Sequence, residues 1–325
     1  MKILITGITG FIGKETVNQI STKKHEITAL IRPNTASHRL EGIDSDVRLV
    51  EIDLANTRSL KAYLTENSFN AILHIGAIRG GRKYSKQTYY KVNVDATEQL
   101  MINAQQNKSK FIFCSSVGVF GAIPPQVPAN NKTERQPDTY YHYTKIYAEK
   151  LLQKYVLYNL NAAIVRPSIT YGVGDYGFPY TLIKLIDKKM LFLPNKTVSI
   201  HLANVELVTS AFMKLLDMDY KPGSAYNVAD KNPVSLQDLA DFINQELHNK
   251  SYPRNRRISP KIFHFLEETT SKLNSDLWKN RFALISHDWY YEVDQTYQDL
   301  GLKQVETLPA FKYVVRWYLD RKRKS

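Results

Sequence analysis

Residues 2–13 read Lys2-Ile3-Leu4-Ile5-Thr6-Gly7-Ile8-Thr9-Gly10-Phe11-Ile12-Gly13. A short apolar strand, Lys2 to Thr6, runs into a glycine-rich turn. A helical pattern opens at Phe11 and continues to about Ser21. A strand–turn–helix of this kind aims free backbone N–H groups and the positive helix end at a pyrophosphate. Glycine is needed because a side chain would block the close approach and because the turn takes unusual dihedrals. The candidate binding positions are Gly7, Thr9, Gly10, Phe11, Ile12 and Gly13. Alone, Gly-x-x-Gly-x-x-Gly is compatible with a plain glycine-rich turn; its weight comes from the segments that follow.

Strand patterns at His25–Ile31, Val47–Ile52, Ala71–Ile75, Phe111–Ser115 and Ala162–Val165 alternate with helical patterns at Ser59–Leu64, Tyr89–Gln106 and Tyr141–Tyr158. Such alternation signals βαβ units, hence an α/β fold with a doubly wound parallel sheet and helices on both faces. It is regular to about Gly172. Beyond that point, Tyr180–Lys189 and Val205–Leu216 read as helices and Val198–Leu202 as extended. Ala225–Val228 is a short strand placed to rejoin the sheet. Ser235–Leu247 is amphipathic, with Leu236, Leu239, Ala240, Ile243 and Leu247 on one face, and Tyr252–Arg257 is a basic loop. The expected organisation is a dinucleotide-binding domain over 1–172 and a smaller C-terminal substrate-binding domain over 173–325.

The chain has 325 residues, 43% hydrophobic and 23% charged, which rules out wholesale disorder. Lys+Arg 44 against Asp+Glu 31 leaves a net charge of +13. That excess favours an anionic partner, whether a phosphate-rich cofactor, acidic lipid or nucleic acid, or reflects a solubility bias. The single cysteine, Cys114, permits no intramolecular disulfide and no Cys-based metal cage, and fits a reducing, cytoplasmic setting. No apolar run approaches the roughly 18 residues of a spanning helix, so no membrane partner is expected. No His-x-x-x-His or His-Glu-x-x-His spacing occurs, which disfavours a zinc hydrolase, and no metal is expected. The basic, aromatic-containing end Arg316–Ser325 reads as a solvated helix end, with nucleic-acid or acidic-membrane contact as the alternative.

The second strand ends Leu30-Ile31-Arg32-Pro33. An NAD site usually carries a carboxylate there, about 20 positions past the glycines. Arg32 instead offers a cation that pairs with a 2′-phosphate, so NADP is the preferred cofactor and NAD a possible one. Lys14 and Arg39 are helper candidates; a solvated strand end is the alternative for Arg32. Asp53-Leu54 closes the third strand, where the carboxylate accepts from an adenine amino group or simply forms a turn.

Tyr141 and Lys145 are four apart, so both point the same way on a helix. A free phenol is a poor acid–base group at neutral pH; a neighbouring ammonium favours the phenolate and is expected to lower the pKa of Tyr141. The spacing recurs at Tyr180/Lys184 and Tyr318/Lys322, but only Tyr141 follows a strand ending Cys114-Ser115-Ser116. A serine at such a strand end can donate to a substrate oxygen. Ser116 is the stronger candidate, with Ser115 left to pack or cap. Phe120, Tyr171, Phe178 and Tyr180 either line an apolar pocket or pack the core.

Together these motifs, with His74-Ile75-Gly76-Ala77, Val92-Asn93-Val94 and Arg166-Pro167, resemble an extended short-chain dehydrogenase/reductase, the NAD-dependent epimerase/dehydratase family. The resemblance covers nearly the whole chain, including Ala225-Tyr226-Asn227-Val228, Leu300-Gly301-Leu302 and the last helix with Trp317. It implies a Rossmann domain that keeps its nicotinamide cofactor and a catalytic triad of Ser116, Tyr141 and Lys145. It also implies cofactor contacts from Gly76, Ala77, Asn93, Pro167 and Ser168, with Asn93 stabilising the active-site region. A homodimer pairing the helices at 89–106 and 141–158 is implied as well.

Departures narrow the chemistry. Dehydratases of the family carry Thr-Asp-Glu where this chain has Ser116-Val117-Gly118, and Val and Gly supply neither acid nor base, so a dehydratase is disfavoured. The Arg that grips a sugar-nucleotide diphosphate aligns with Thr197, beside Lys196; Arg254, Arg256 and Arg257 are possible substitutes. Gly76 stands in place of the usual alanine, opening the cleft or acting neutrally. The Ile31-Arg32-Pro33 stretch is similar to the branch that interconverts ketones and secondary alcohols on bulkier substrates. The expected function is therefore hydride transfer between nicotinamide and a small-molecule secondary alcohol or ketone. A nucleotide-sugar epimerase with recycled cofactor is one alternative. A non-catalytic NADP-sensing or nucleic-acid-binding relative is the other.

Overall fold

The computed structural model describes residues 1–21, 25–272 and 276–324. Seven strands form the central sheet: β1 (Lys2–Thr6), β2 (Glu26–Ile31), β3 (Arg48–Glu51), β4 (Ala71–His74), β5 (Lys110–Cys114), β6 (Ala162–Pro167) and β7 (Ala225–Val228). Their order is β7-β6-β5-β4-β1-β2-β3, all parallel, with Ile3 facing Ile27 on one side and Ala71 on the other. This is the doubly wound Rossmann arrangement, and the chain reverses direction across the sheet between β1 and β4. β7 does rejoin the sheet, beside β6.

Strands buried on both faces need continuous apolar runs rather than alternation. KILIT, EITALI and KFIFC provide them, and Ile3, Leu4, Ile5, Phe111, Ile112 and Phe113 are fully buried. Two cores result. Helices α1 (Phe11–Ser21), α6 (Phe178–Asp187), α7 (Val205–Asp217), α8 (Leu236–His248) and α12 (Thr307–Lys324) share one face, where Ile5, Val17, Leu182, Phe212, Leu239 and Phe311 meet. Helices α2 (Thr57–Glu66), α4 (Ala96–Gln106) and α5 (Tyr140–Val156) cover the other, around Leu4, Leu60, Leu100, Phe111 and Leu152.

Three expectations are corrected. The helix expected over Tyr89–Gln106 is α3 (Lys86–Tyr90), a wide π turn over Lys91–Asp95, then α4. The widened turn inserts one residue per turn and is common at functional sites; here it re-aims Asn93. The expected basic loop Tyr252–Arg257 contains a 3-10 turn, and Arg257–Ile258 pairs with Leu193–Pro194. Two helices had no sequence counterpart: α9 (Pro260–Lys272) and α10 (Asp276–Ser286), packed on each other. The short helix α11 (Asp294–Leu300) precedes α12. Among the described residues, no helix is long and apolar enough to cross a membrane.

Candidate active site

The site forms where β1, β4 and β5 deliver their carboxyl ends. Gly7 takes φ +84°, and a Cβ there would lie 2.6 Å from the Gly76 nitrogen on the neighbouring strand's extension. A Cβ at Gly13 would lie 2.2 Å from the Gly7 carbonyl oxygen, so the helix start rests directly on the turn. Gly10 N–H donates to the Gly7 carbonyl at 2.9 Å. The first-turn N–H groups of α1 have no intrahelical acceptors. This glycine cradle suits a pyrophosphate and fits a dinucleotide. Gly7→Ala is expected to weaken NADH binding at least tenfold in a fluorescence titration, because the new methyl would push the turn off Gly76; unchanged affinity would show that the turn is not the cradle.

Gly76 has a different explanation from an opened cleft. Its N–H donates to Thr6 Oγ1 at 3.0 Å, and an added Cβ would sit 3.0 Å from that same oxygen. Thr6 Oγ1 also meets His74 Nδ1 at 2.7 Å, and His74 Nε2 meets Thr97 Oγ1 at 2.8 Å. The buried imidazole is held neutral, its pKa pushed down to about 3 by burial and then by the Lys145 charge. It is a structural bolt beneath the cleft.

Lys145 is 2% exposed. Its Nζ donates to the Cys114 carbonyl at 2.6 Å and lies 4.5 Å from the Phe113 ring centre. Burial lowers its pKa to about 8, against the opposing pull of Cys114 and Glu149. Tyr141 sits one turn earlier on α5, against Gly80 and beside Ser116. The expectation that Lys145 lowers the phenol is not met. Burial raises the Tyr141 pKa above its ordinary value and Cys114 adds to the rise, while Ser116 and Arg79 pull the other way. The physical reason is that the ammonium is spent on the strand carbonyl and shares the phenol's desolvation.

Ser116 caps the 3-10 turn Val117–Phe120, its Oγ accepting from Gly118 N–H at 3.0 Å, which leaves its own proton to donate. Ser115 is committed elsewhere: its Oγ donates to Glu149 at 2.5 Å, and Glu149 forms a two-point ion pair with Arg166 at 2.7 and 2.8 Å. Asn93 contacts Ile78 N–H and C=O at 2.8 and 2.9 Å and Thr144 Oγ1 at 3.0 Å. It clamps the loop after β4 onto α5.

Other residues sort as follows. Arg32 is exposed at the end of β2, and its carbonyl accepts from Thr35. Asp53 Oδ1 accepts from Ala55 N–H at 2.9 Å, so the residue forms a turn, with Leu54 partly exposed beside it. Ala77 is partly exposed on the loop after β4, and Pro167 ends β6. Ser168 is buried, its Oγ turned to the His201 carbonyl. Phe120 and Tyr171 are core; the Tyr171 hydroxyl donates to Asp230 at 2.7 Å. Lys196, Thr197, Arg254 and Arg257 line one cleft of about 480 Å³ together with Asp238 and Asp241, whereas Arg256 stacks on Phe192. Arg79 and Asp175 were missed on the sequence. The Arg79 charge acts on both Tyr141 and the buried Asp175, whose carboxyl is raised by burial. No spacing signal joins positions so far apart.

The family model for the NAD dependent epimerase/dehydratase family matches residues 3–229. Sterol demethylase protein B of Methylococcus capsulatus is 24% identical, over 99% of each chain. The solved UDP-glucuronic acid 4-epimerase of Bacillus cereus, in complex with NAD, superposes with a TM-score of 0.75 at 19% identity over 99% of both chains. The UDP-glucose 4-epimerase of Thermotoga maritima, solved with UDP-glucose, gives 0.77 at 16% identity and covers both chains fully. At these identities the structures share the fold.

Proposed function

The chain belongs to the NAD dependent epimerase/dehydratase family, and from that premise we propose that it moves hydride between a nicotinamide dinucleotide and a secondary alcohol or ketone, using Ser116, Tyr141 and Lys145. The observation that carries this reading is the convergence of all three at the end of β5: Tyr141 beside Ser116, which pulls the phenol pKa down, and Lys145 anchored to the Cys114 carbonyl. When bound, the nicotinamide supplies or accepts the hydride. Ser116 and Tyr141 hold the substrate oxygen, and Tyr141 passes its proton to that oxygen or takes it back. The remaining Lys145 protons are free to hold the ribose. Gly7, Thr9, Gly10, Phe11, Ile12 and Gly13 cradle the pyrophosphate, with Asp53, Leu54, Gly76, Ala77, Pro167 and Ser168 flanking the rest of the groove. Residues 1–172, with the strand Ala225–Val228 that rejoins the sheet, serve the cofactor, and the rest of 173–325 serves the substrate.

Arg32 supports NADP over NAD, although the structural relative above was solved with NAD. Arg32→Asp is expected to swing the ratio of NADPH to NADH affinities toward NADH by about tenfold or more, since a charge-assisted contact to phosphate becomes a repulsion. An unaltered ratio would place the 2′ position elsewhere.

A nucleotide-sugar epimerase using the same residues is the second reading, favoured by Lys196 and Arg254 in the cleft where Arg257 pairs with Asp241. Steady-state assays with a panel of bulky ketones, secondary alcohols and nucleotide sugars separate the two. Net change in NADPH absorbance supports the dehydrogenase, and isomer exchange with no net change supports the epimerase. Failure of both cofactors to bind would sink both readings and favour a non-catalytic role, against which Tyr141 and Lys145 already weigh. The reading further includes a homodimer through α4 and α5, where Tyr143 and Leu157 are exposed, and a cytoplasmic setting.

A further inference from the structure

Gly118 lies two residues past Ser116, and its missing side chain is replaced by another residue's. A Cβ at 118 would stand 2.4 Å from His142 Nε2 and 2.6 Å from its Cδ2. The imidazole therefore fills the space that a side chain at 118 would claim, next to the Ser116–Tyr141 pair. Its ring centre is 5.5 Å from that of Tyr141. Its Nδ1 contacts Asp138 Oδ1, and the other carboxylate oxygen accepts from Ala122 N–H at 2.7 Å. Burial would raise the Asp138 carboxyl, but its contacts with His142 and Ala122 hold it below the usual range. A carboxylate on Nδ1 fixes the neutral ring with its proton there and its lone pair on Nε2. Among the described residues Nε2 has no hydrogen-bond partner, although only 15% of the side chain is exposed.

We infer that His142, oriented by Asp138, is a second acid–base group of the site, exchanging a proton at the carbon adjoining the substrate carbonyl. The inference rests on the hydride-transfer reading above. It revises the expectation that Val117 and Gly118 leave the site without a further acid or base, because the group arrives from α5 through the gap that Gly118 leaves. A carbonyl acidifies the C–H bonds beside it. His142 Nε2 takes that proton, the C–H electron pair becomes the carbon–carbon double bond, and the carbonyl π pair moves onto oxygen, where Ser116 and Tyr141 hydrogen-bond it. The imidazolium faces the Asp138 carboxylate. Exchange of its proton with water and return to carbon regenerate the ketone, so no oxidant or reductant is consumed.

Two measurements test this. In the first, the whole protein is treated with diethyl pyrocarbonate, which acylates accessible neutral imidazole nitrogen, and the histidines are mapped by mass. His142 should react well ahead of the buried His74 and His201, and Asp138→Asn should slow it several-fold by releasing the tautomer. An unreactive His142 overturns the inference whatever the substrate. In the second, a ketone reduced in the panel assay is held in D2O with the protein, and deuterium uptake beside the carbonyl is followed by NMR. His142→Gln should lower uptake by about 100-fold. Uptake unchanged in that variant overturns the inference and leaves the oxidoreductase reading standing; a reactive His142 with no ketone reduced would instead count against that reading.

Discussion

Tyr141→Phe is expected to lower turnover by about 10³-fold or more while leaving NADPH affinity within about twofold. Only the hydroxyl is removed, and the ring keeps its packing against Gly80. Burial and the neighbouring Cys114 hold the phenol above its ordinary pKa, with Ser116 and Arg79 opposing. Around neutral pH it is therefore a proton carrier in its acid form, suited to completing reduction of a ketone. Proton exchange by that one atom is what the variant loses. Turnover and cofactor titration on the same preparation check both halves, and full turnover would remove Tyr141 from the chemistry.

The second large effect is on stability. Glu149→Ala is expected to cost about 3–5 kcal/mol, read as a lowered urea midpoint. Arg166 and Glu149 have side chains only 3% and 8% exposed, and the pair is closed at two points. Ser115 and Asn131 complete the network, with Arg166 Nη1 donating to Asn131 Oδ1 at 2.6 Å. Removing the carboxylate strands an almost fully buried guanidinium and frees the Ser115 hydroxyl at the end of β5. Replacing both partners with apolar residues, Glu149→Leu with Arg166→Met, should recover most of the loss, because the cost lies in the unpaired charge rather than in the missing attraction. A single-variant loss below about 1 kcal/mol would show that water reaches Arg166. Glu149 also pulls the Lys145 pKa upward, so the variant should leave Lys145 less protonated at neutral pH.

The succession of strands and helices, the glycine turn and the shared face of Tyr141 and Lys145 were legible because they are local. A buried parallel strand is written as a run of apolar residues, a helix as a 3.6-residue period, and a positive-φ turn as glycine. KILIT followed by Gly7 states all of that within a few positions. The α9–α10 pair was not read from the sequence.

The tertiary structure alone decided which charges and vacant spaces meet. That Lys145 donates to the Cys114 carbonyl, that Asn93 clamps Ile78 and that His142 occupies the gap at Gly118 are all contacts between segments distant in the chain. Desolvation sets the protonation of such groups, and it depends on everything packed around them. No periodicity records that, so the sequence names the chemical groups and the packing assigns their states.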